Sequence, residues 1–295
     1  MGKNELHEAM YYAQLESGKV QCALCPHNCV IMPGKVGICR ARKNIDGKLY
    51  SLNYGKVTSI ALDPIEKKPL YRFHPNTFIL SAGTFGCNLK CPFCQNWEIA
   101  HSISEDWPNM IYISPDQLVQ EALNYLKHKN IGIAYTYNEP SIWYEFVYET
   151  SKLAREKKLL NVLVTNGFIN KQPFLELLPF VDAMNIDMKS FNPSFYKEIC
   201  KGSLDNVKEI VEIAAPKCHI EITTLVIPGL NDSKEEIGSL AKWIASINPE
   251  IVLHLSRYFP NYKMKDRPPT PKKTLEDLRD EALKYLKYVY LGNVW

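Results

Sequence analysis

Seven of the nine cysteines in this chain fall into two short groups, a spacing typical of metal-binding or catalytic thiolates. The first group is Cys22, Cys25, Cys29 and Cys39, and the second is Cys87, Cys91 and Cys94. The count is odd and the first residues are polar without an export signal, which argues against a disulfide framework. The two isolated cysteines, Cys200 and Cys218, are expected to be ordinary buried thiols.

The second group has the spacing C-x3-C-x2-C on a segment of eight residues, 87–94. Three thiolates on one loop can hold three irons of a cubane cluster and leave the fourth iron without a protein ligand. A substrate or cofactor can then bind the metal at that open position. Structural zinc needs four ligands, and the next Cys or His after Cys94 is His101, so a zinc site completed by His101 is the alternative.

The first group supplies four thiolates, enough to fill a tetrahedron around a metal. Structural zinc would stabilise an otherwise loop-rich segment. An auxiliary [4Fe-4S] cluster uses the same ligands, because thiolate ligation alone does not choose between the two metals. Thiols without metal are the third possibility, and His27 inside this loop is expected to belong to a turn. The sequence leaves the metal open.

Residues 1–76 differ in character from the rest of the chain. A short helix is predicted over residues 5–17, followed by the first cysteine group, which is interspersed with prolines and glycines. Two short strands are predicted over residues 49–55 and 56–62, and an extended connection over residues 63–75. We interpret residues 1–76 as a small Cys-rich appendage.

From residue 77 onward, apolar runs alternate with amphipathic segments. Strands are predicted at residues 77–82, 131–135, 161–165, 183–187, 219–227 and 251–255. Helices are predicted at residues 115–129, 142–158, 172–179, 204–214, 234–247 and 274–290. Nearly continuous apolar strands that alternate with helices indicate a parallel sheet covered by helices. The prediction is an α/β protein with a (β/α)-type barrel, complete or partial, over residues 77–295.

Polar residues follow the end of each predicted strand, where working residues gather in barrels of this type. In strand order they are the second cysteine group, Asn138 with Glu139, Thr165 with Asn166, Asp187 with Lys189, Pro228 to Asp232, and His254 with Arg257. Any one of these segments is explained by a turn or a surface charge. Six on the same face favour a shared pocket.

Asp187 and Lys189 are two positions apart on a strand, so both side chains point to one face, here the barrel interior. A buried lysine needs a partner, and Asp187 is the obvious one. A structural ion pair lining the barrel is the alternative to a ligand-binding pair. For His254, a core histidine with satisfied hydrogen bonds is an equal alternative to a ligand contact.

With Phe93 just before its third cysteine, the segment 87–94 resembles the signature of the radical S-adenosylmethionine (SAM) superfamily. The resemblance implies that Cys87, Cys91 and Cys94 ligate a [4Fe-4S] cluster whose fourth iron is chelated by S-adenosylmethionine. It also implies that one electron cleaves the sulfonium to methionine and a 5′-deoxyadenosyl radical, which abstracts hydrogen from a substrate. The implied fold is a partial (β/α)6 TIM-like barrel.

The same resemblance assigns roles to other positions. It places Phe93 near the adenine, and residues 138–140 where the family has Gly-Gly-Glu-Pro for the methionine amino group, with Tyr137 and Asn138 in place of the glycines. Asp187 and Lys189 would order the methionine carboxylate, and Lys189 is grouped with the three cysteines as catalytic. The further cofactor contacts it suggests are Thr165, Asn166, His254 and Arg257.

Two narrower resemblances cover more of the chain. Residues 77–260 are similar to pyruvate formate-lyase activating enzymes through Thr-Asn-Gly at 165–167, Asp-Met-Lys at 187–189 and Val-Ile-Pro-Gly at 226–229. Those activases carry an acid where this chain has Val164. Segments 22–29, 63–70 and 254–260 resemble the radical enzyme of the AmmeMemoRadiSam system.

The expected function is therefore that of a radical SAM enzyme that installs a glycyl radical on a protein partner and takes electrons from a reductant such as flavodoxin or ferredoxin. Modification of a small molecule, a peptide or an RNA is the alternative within the family. A zinc-stabilised binding module without turnover is the alternative from another class, but it leaves the polar groups at the strand ends unexplained.

Charge and hydropathy limit the partners. The chain has 35 Lys and Arg against 32 Asp and Glu, a net charge of +3, which is too small to favour nucleic acid or a membrane surface. No stretch of 18 apolar residues is present, so no membrane span is predicted. A cytoplasmic enzyme is expected.

Overall fold

The computed structural model describes residues 6–101 and 110–294, and its first part is a set of short antiparallel strands. These are β1 (His7–Glu8), β2 (Tyr12–Gln14), β3 (Val20–Cys22), β4 (Val30–Ile31), β5 (Arg42–Ile45), β6 (Lys48–Ser51) and β7 (Lys56–Val57). Strands β1, β6 and β5 form one sheet, and β2, β3 and β4 form a second. The first cysteine group lies on and between the strands of this region.

The main sheet has eight strands. In chain order they are β8 (Ser59–Pro64), β9 (Phe78–Gly83), β11 (Asn130–Tyr135), β12 (Leu160–Thr165), β13 (Ala183–Asp187), β14 (His219–Val226), β15 (Val252–Arg257) and β16 (Val289–Gly292). The remaining strand, β10 (Ile111–Tyr112), lies outside this sheet and pairs with β7. The spatial order is β8-β9-β11-β12-β13-β14-β15-β16, with β8 antiparallel to β9 and all other neighbours parallel. Edge strands β8 and β16 are not paired with each other in the described residues, so the barrel is partial, as predicted.

Several helices pack against this sheet. The helices of the described residues are α1 (Trp97–Ala100), α2 (Pro115–Asn124), α3 (Tyr144–Glu156), α4 (Lys171–Leu177), α5 (Pro193–Phe195), α6 (Leu204–Ala214), α7 (Lys234–Ile247) and α8 (Lys272–Ala282), of which α2, α3, α6 and α8 contact its strands. Ser114 starts α2 with a reciprocal cap, because its Oγ accepts from the Gln117 amide at 3.2 Å while the Gln117 side chain accepts from the Ser114 amide. None of the described helices combines the length and apolarity needed to cross a bilayer.

Two predicted helices are wrong in whole or in part. In the predicted helix 5–17, the described residues 6–17 contain β1 and β2 instead, since β2 pairs with β3, and Tyr11 between β1 and β2 has a left-handed φ of 56°. The predicted helix 274–290 ends at Ala282, and its last residues form β16, which adds a seventh parallel strand to the six predicted. In both segments strand pairing to a distant neighbour outweighs the local periodicity.

The predicted strand 56–62 is divided between two sheets. Its first residues form β7, and the rest belong to β8, which runs antiparallel to β9 from the Ser59–Gly83 pair to the Pro64–Phe78 pair. The first edge of the barrel is therefore built by residues that precede position 77. The division into regions 1–76 and 77–295 stays a prediction.

Candidate active site

A cavity of about 610 Å³ opens at the carboxyl ends of the parallel strands. This volume lies within the usual range for sites that bind small molecules and cofactors. Of the residues predicted from the sequence, its wall contains Cys87, Cys91, Phe93, Cys94, Asn138, Glu139, Thr165, Asn166, Asp187 and Lys189. The sheet therefore brings ten of the twelve residues predicted for the second cysteine site and its ligand into one cavity.

His254 and Arg257 are the two that do not line it. The His254 ring is buried, with Nε2 2.6 Å from a carboxylate oxygen of Glu221. Arg257 donates from Nε to the Thr270 carbonyl oxygen at 2.7 Å. Both side chains are occupied by structural partners, which was the alternative considered for His254, and neither belongs to the proposed site.

The loop that carries Cys87, Cys91 and Cys94 connects β9 to α1. Two donors face the Cys87 sulfur, the Leu89 amide at 3.4 Å and the Asn166 Nδ2 at 3.7 Å. Such donors stabilise a thiolate and tune the metal that it binds. The loop is therefore prepared to present Cys87 as an anionic ligand.

Without a metal these thiols hold their protons. Burial raises the pKa of Cys94 to about 11 and that of Cys87 well above its ordinary value. For Cys91, the neighbouring Cys200 thiol and then burial raise the pKa. Metal binding must displace these protons, so metal affinity is expected to increase with pH.

Glu139 connects two strand ends through a buried carboxylate that is only 2% exposed. One oxygen accepts from the Thr165 hydroxyl at 2.7 Å and the Ser141 amide at 2.9 Å. The other accepts from the Asn166 amide at 2.7 Å. Burial raises the pKa of Glu139, while these donors oppose the shift. The carboxylate is thus held in one orientation on the cavity wall.

Asn138 fixes the position of the cysteine loop. Its Oδ1 accepts from the Thr84 amide at 3.0 Å, and its Nδ2 donates to the Gly86 carbonyl oxygen at 3.0 Å. The preceding residue, Tyr137, has a left-handed φ of 72°, which is unusual for a bulky side chain. The Asn138 amide therefore holds the start of the cysteine loop directly.

Asp187 and Lys189 form an ion pair at the end of β13, with 2.9 Å between Oδ2 and Nζ. Burial opposes the lysine charge, but the Asp187 carboxylate outweighs it and raises the Lys189 pKa above its ordinary value. Lys189 consequently stays charged across the physiological range. Both side chains line the cavity, so the predicted orientation of this pair is confirmed.

A second polar cluster on the cavity wall was not predicted. Asp63 accepts from Lys68 Nζ at 2.8 Å, from Lys67 Nζ at 3.2 Å and from the Tyr137 hydroxyl at 2.7 Å. The sequence predicts an extended connection over residues 63–75, and Asp63 reaches the cavity because β8 pairs with β9. The sequence contains Asp63, Lys67 and Lys68 as a charged group, but it does not show that they lie at the cavity.

The four cysteines of the first group line a separate small cavity together with Arg42 and Ile142. Cys22, Cys25 and Cys39 are buried and Cys29 is half-buried. In the parts of the chain that the structure describes, no three Cys, His, Asp or Glu side chains are spaced to share a single metal ion. Neither cysteine group therefore has three sulfurs arranged around a single ion in the described residues.

Comparison with known proteins gives consistent matches. The sequence model of the Radical SAM superfamily matches residues 82–244. The uncharacterized protein MJ0808 of Methanocaldococcus jannaschii is 44% identical over 98% of this chain and 86% of its own length. The pyruvate formate-lyase-activating enzyme of Clostridium pasteurianum is 26% identical over 68% of this chain and 87% of its own length.

Solved structures with the same fold include SuiB of Streptococcus suis bound to S-adenosylmethionine, with a TM-score of 0.56, 12% identity and coverage of 74% of this chain and 51% of that one. A radical SAM methyltransferase from Sphaerobacter thermophilus matches with a TM-score of 0.56 and 13% identity, over 74% of this chain and 67% of that one. At these identities the likeness concerns the fold.

Proposed function

Because this chain belongs to the radical SAM superfamily, we propose that its cavity uses S-adenosylmethionine to start a radical reaction on a protein partner. The chain is an enzyme of the radical SAM type, and the cofactors of that family are a [4Fe-4S] cluster and S-adenosylmethionine. The protein partner is the part that we propose from the similarity of this chain to activating enzymes.

The residues of the cavity fit both cofactors. Cys87, Cys91 and Cys94 supply three thiolates on one loop, which leaves one iron of a cubane cluster open. The Asp187–Lys189 pair presents a charged lysine at the same cavity, suited to a ligand carboxylate. Glu139 presents a fixed acceptor suited to an amino group. The single observation that carries the proposal is the presence of these three features on one cavity wall.

When bound, the cluster and S-adenosylmethionine supply a 5′-deoxyadenosyl radical that takes a hydrogen atom from the substrate. The residues of this chain orient and shield that chemistry. Lys189 would hold the methionine carboxylate, Glu139 the amino group, and the buried Phe93 would pack near the adenine. One electron per cleavage would come from a low-potential donor such as flavodoxin or ferredoxin.

A protein substrate is supported by the relatives and by the shape of the site. The names of the relatives include activating enzymes for pyruvate formate-lyase and for (2S)-3-sulfopropanediol dehydratase. The cavity wall includes Asp63 from edge strand β8 and Asn293 just after edge strand β16. The cavity thus extends from one edge strand of the sheet to the other, and we propose that a polypeptide loop enters between them.

The test is formation of 5′-deoxyadenosine by anaerobically reconstituted, dithionite-reduced protein, compared with a Cys91→Ala variant. Loss of one ligand of the open cluster is expected to reduce product formation at least 100-fold, on the order of the loss when a catalytic group is removed. A Cys218→Ala variant is the matched control, because Cys218 lies outside both cysteine groups and should retain full activity.

A protein partner is tested separately. A glycyl-radical signal in electron paramagnetic resonance, on a candidate partner incubated with the active enzyme, is the expected result. Equal formation of 5′-deoxyadenosine by the wild type and by Cys91→Ala would overturn the assignment of Cys87, Cys91 and Cys94 as cluster ligands. If 5′-deoxyadenosine forms and a small molecule is converted, but no candidate partner carries a radical, the substrate is the small molecule and not a protein.

A further inference from the structure

We propose that Cys22, Cys25, Cys29 and Cys39 hold a second [4Fe-4S] cluster, closed by four thiolates, next to the loop that carries the first. The proposal concerns a different site from the proposed function and does not depend on the identity of the substrate. It chooses iron–sulfur over zinc for a group whose ligands alone are compatible with both.

The fold brings all four cysteines to one place. Cys22 ends β3, and its amide donates to the Cys29 carbonyl oxygen at 2.9 Å, so the two residues face each other across a tight loop. Inside that loop the Asn28 amide donates to the Cys25 carbonyl oxygen at 3.0 Å. Cys39 follows ten residues after Cys29 and lines the same cavity. The cysteines therefore surround a shared interior volume.

The size of that volume favours a cluster. Zinc holds thiolate sulfurs at about 2.3 Å, so four sulfurs around one ion leave no space for a sphere as large as water. Here the cysteines line a cavity of about 10 Å³, which is close to the space that one water-sized sphere needs. A cubane cluster binds each thiolate through a different iron, so its cysteines stand around a volume.

The charge around the cavity suits an anionic metal centre. Arg42, only 1% exposed, lines the cavity with its Nη1 3.9 Å from the Cys22 sulfur. Its Nε is buried without a hydrogen-bond partner. Glu145 forms an ion pair with Nη2 of Arg42, so the guanidinium is held between this carboxylate and the Cys22 sulfur. A buried cation beside four thiolates offsets part of the negative charge of a tetrathiolate centre.

The site lies directly against the first cluster loop. A Cβ added to Gly86, the residue before Cys87, would meet the Cys39 carbonyl oxygen at 2.7 Å. Lys90, between Cys87 and Cys91, donates to the Ile38 carbonyl oxygen at 2.7 Å. His27 is 2.7 Å from the Asn88 carbonyl oxygen. Because each iron of the second cluster would carry a thiolate, it would have no open position for S-adenosylmethionine.

The experiment measures iron, zinc and acid-labile sulfide in full-length protein reconstituted anaerobically with equal iron and zinc. The expected result is about eight irons per chain in the wild type and about four in Cys25→Ala, the number in one cubane cluster. Cys218→Ala is the matched control and should keep all the iron. About four irons and one zinc per wild-type chain would overturn the proposal.

A Cys87→Ala, Cys91→Ala, Cys94→Ala triple variant isolates the second centre and covers the case in which Cys25→Ala fails to fold. After reduction it should retain about four irons and a [4Fe-4S] electron paramagnetic resonance signal that added S-adenosylmethionine does not change. Zinc without iron in this variant would also overturn the proposal. Formation of 5′-deoxyadenosine by the wild type is scored separately, so failure of this inference and failure of the proposed function are distinguishable.

Discussion

At the scale of single residues, the site depends on carboxylates that are held by several donors before any ligand binds. Glu139 is the clearest case, because both of its oxygens accept hydrogen bonds from strand ends within 2.9 Å. An acceptor fixed in this way loses little conformational entropy when it binds an amino group. Substitutions at this position should therefore affect cofactor binding more than their size suggests.

Glu139→Gln keeps the shape of the side chain but removes its charge. We expect the affinity for S-adenosylmethionine to fall roughly 10- to 100-fold, because a hydrogen bond to a charged group contributes about 1.5–3 kcal/mol. Equilibrium binding to the reconstituted enzyme measures the change. Thr165→Val removes only the hydroxyl donor to Glu139, so it should lower the affinity for S-adenosylmethionine less than Glu139→Gln does. Unchanged affinity in Glu139→Gln would show that this carboxylate does not contact the cofactor.

At the scale of elements, the N-terminal strands are attached to the barrel by buried polar contacts as well as by packing. Arg42 on β5 pairs with Glu145 on α3, and both side chains are fully buried. Glu145 also accepts from the Met10 amide at 2.8 Å, and Arg42 donates to the Met10 carbonyl oxygen at 2.7 Å. These contacts fix the first cysteine group relative to the helix that follows Glu139.

Removal of Arg42 alone should lower the free energy of unfolding more than removal of Arg42 and Glu145 together. Arg42→Met is expected to lower the free energy of unfolding by about 3–5 kcal/mol, because it leaves the Glu145 charge buried and unpaired. In Arg42→Met with Glu145→Leu, an apolar pair should recover at least half of the loss. Urea denaturation of the four proteins of this cycle tests the coupling, and additive losses would contradict it.

Gly86 tests the contact between the two cysteine loops. It has a left-handed φ of 92°, and an added Cβ would lie 2.7 Å from the Cys39 carbonyl oxygen. Gly86→Ala should destabilise the protein by about 2–4 kcal/mol, from backbone strain and overpacking together.

The matched control for that substitution is Gly34→Ala. Gly34 also has a left-handed φ, 75°, but nothing lies within 4 Å of an added Cβ. Gly34→Ala should lower the free energy of unfolding by only about 1–2 kcal/mol, the part that comes from backbone strain. Equal losses in the two variants, measured by thermal denaturation, would show that the contact with Cys39 is not tight.

At the scale of the whole molecule, the segment between β8 and β9 is bound to the first part of β14 through Glu221. The amides of Tyr71 and Arg72 donate to the two oxygens of Glu221 at 3.0 and 2.8 Å. His219 and His254 also contact this carboxylate. Burial alone would raise the pKa of Glu221, but the hydrogen bonds outweigh it and lower the pKa to about 2. One ionised side chain thus anchors the segment between β8 and β9.

This arrangement predicts a dependence of stability on pH. A carboxylate with a lowered pKa contributes stability that is fully present above its ordinary value near 4.5 and is lost as the pH falls toward 2. The contribution is roughly 3 kcal/mol, from a shift of about 2.5 pH units. In Glu221→Gln the urea midpoint should be lower at pH 7 and should fall less steeply between pH 4.5 and 3. A wild-type slope in the variant would assign the effect to other carboxylates.

The sequence alone was sufficient to predict the family of this protein and the order of its six central strands. Cysteine spacing and the polar residues after each strand are local, and parallel strands with helical crossovers bring their carboxyl ends to one edge whatever the details of packing. For this reason ten predicted residues line one cavity. The two-residue spacing of Asp187 and Lys189 likewise fixed their common face, because the pleat of a strand has a period of two.

Tertiary structure decided what depends on distant partners. Residues 289–292 become a strand only beside β15, and residues 7–14 become strands only beside β6 and β3. Asp63 enters the cavity through the pairing of β8 with β9, while His254 is held away from it by Glu221. Each of these outcomes depends on contacts between residues far apart in the chain, and local periodicity carries no information about such contacts.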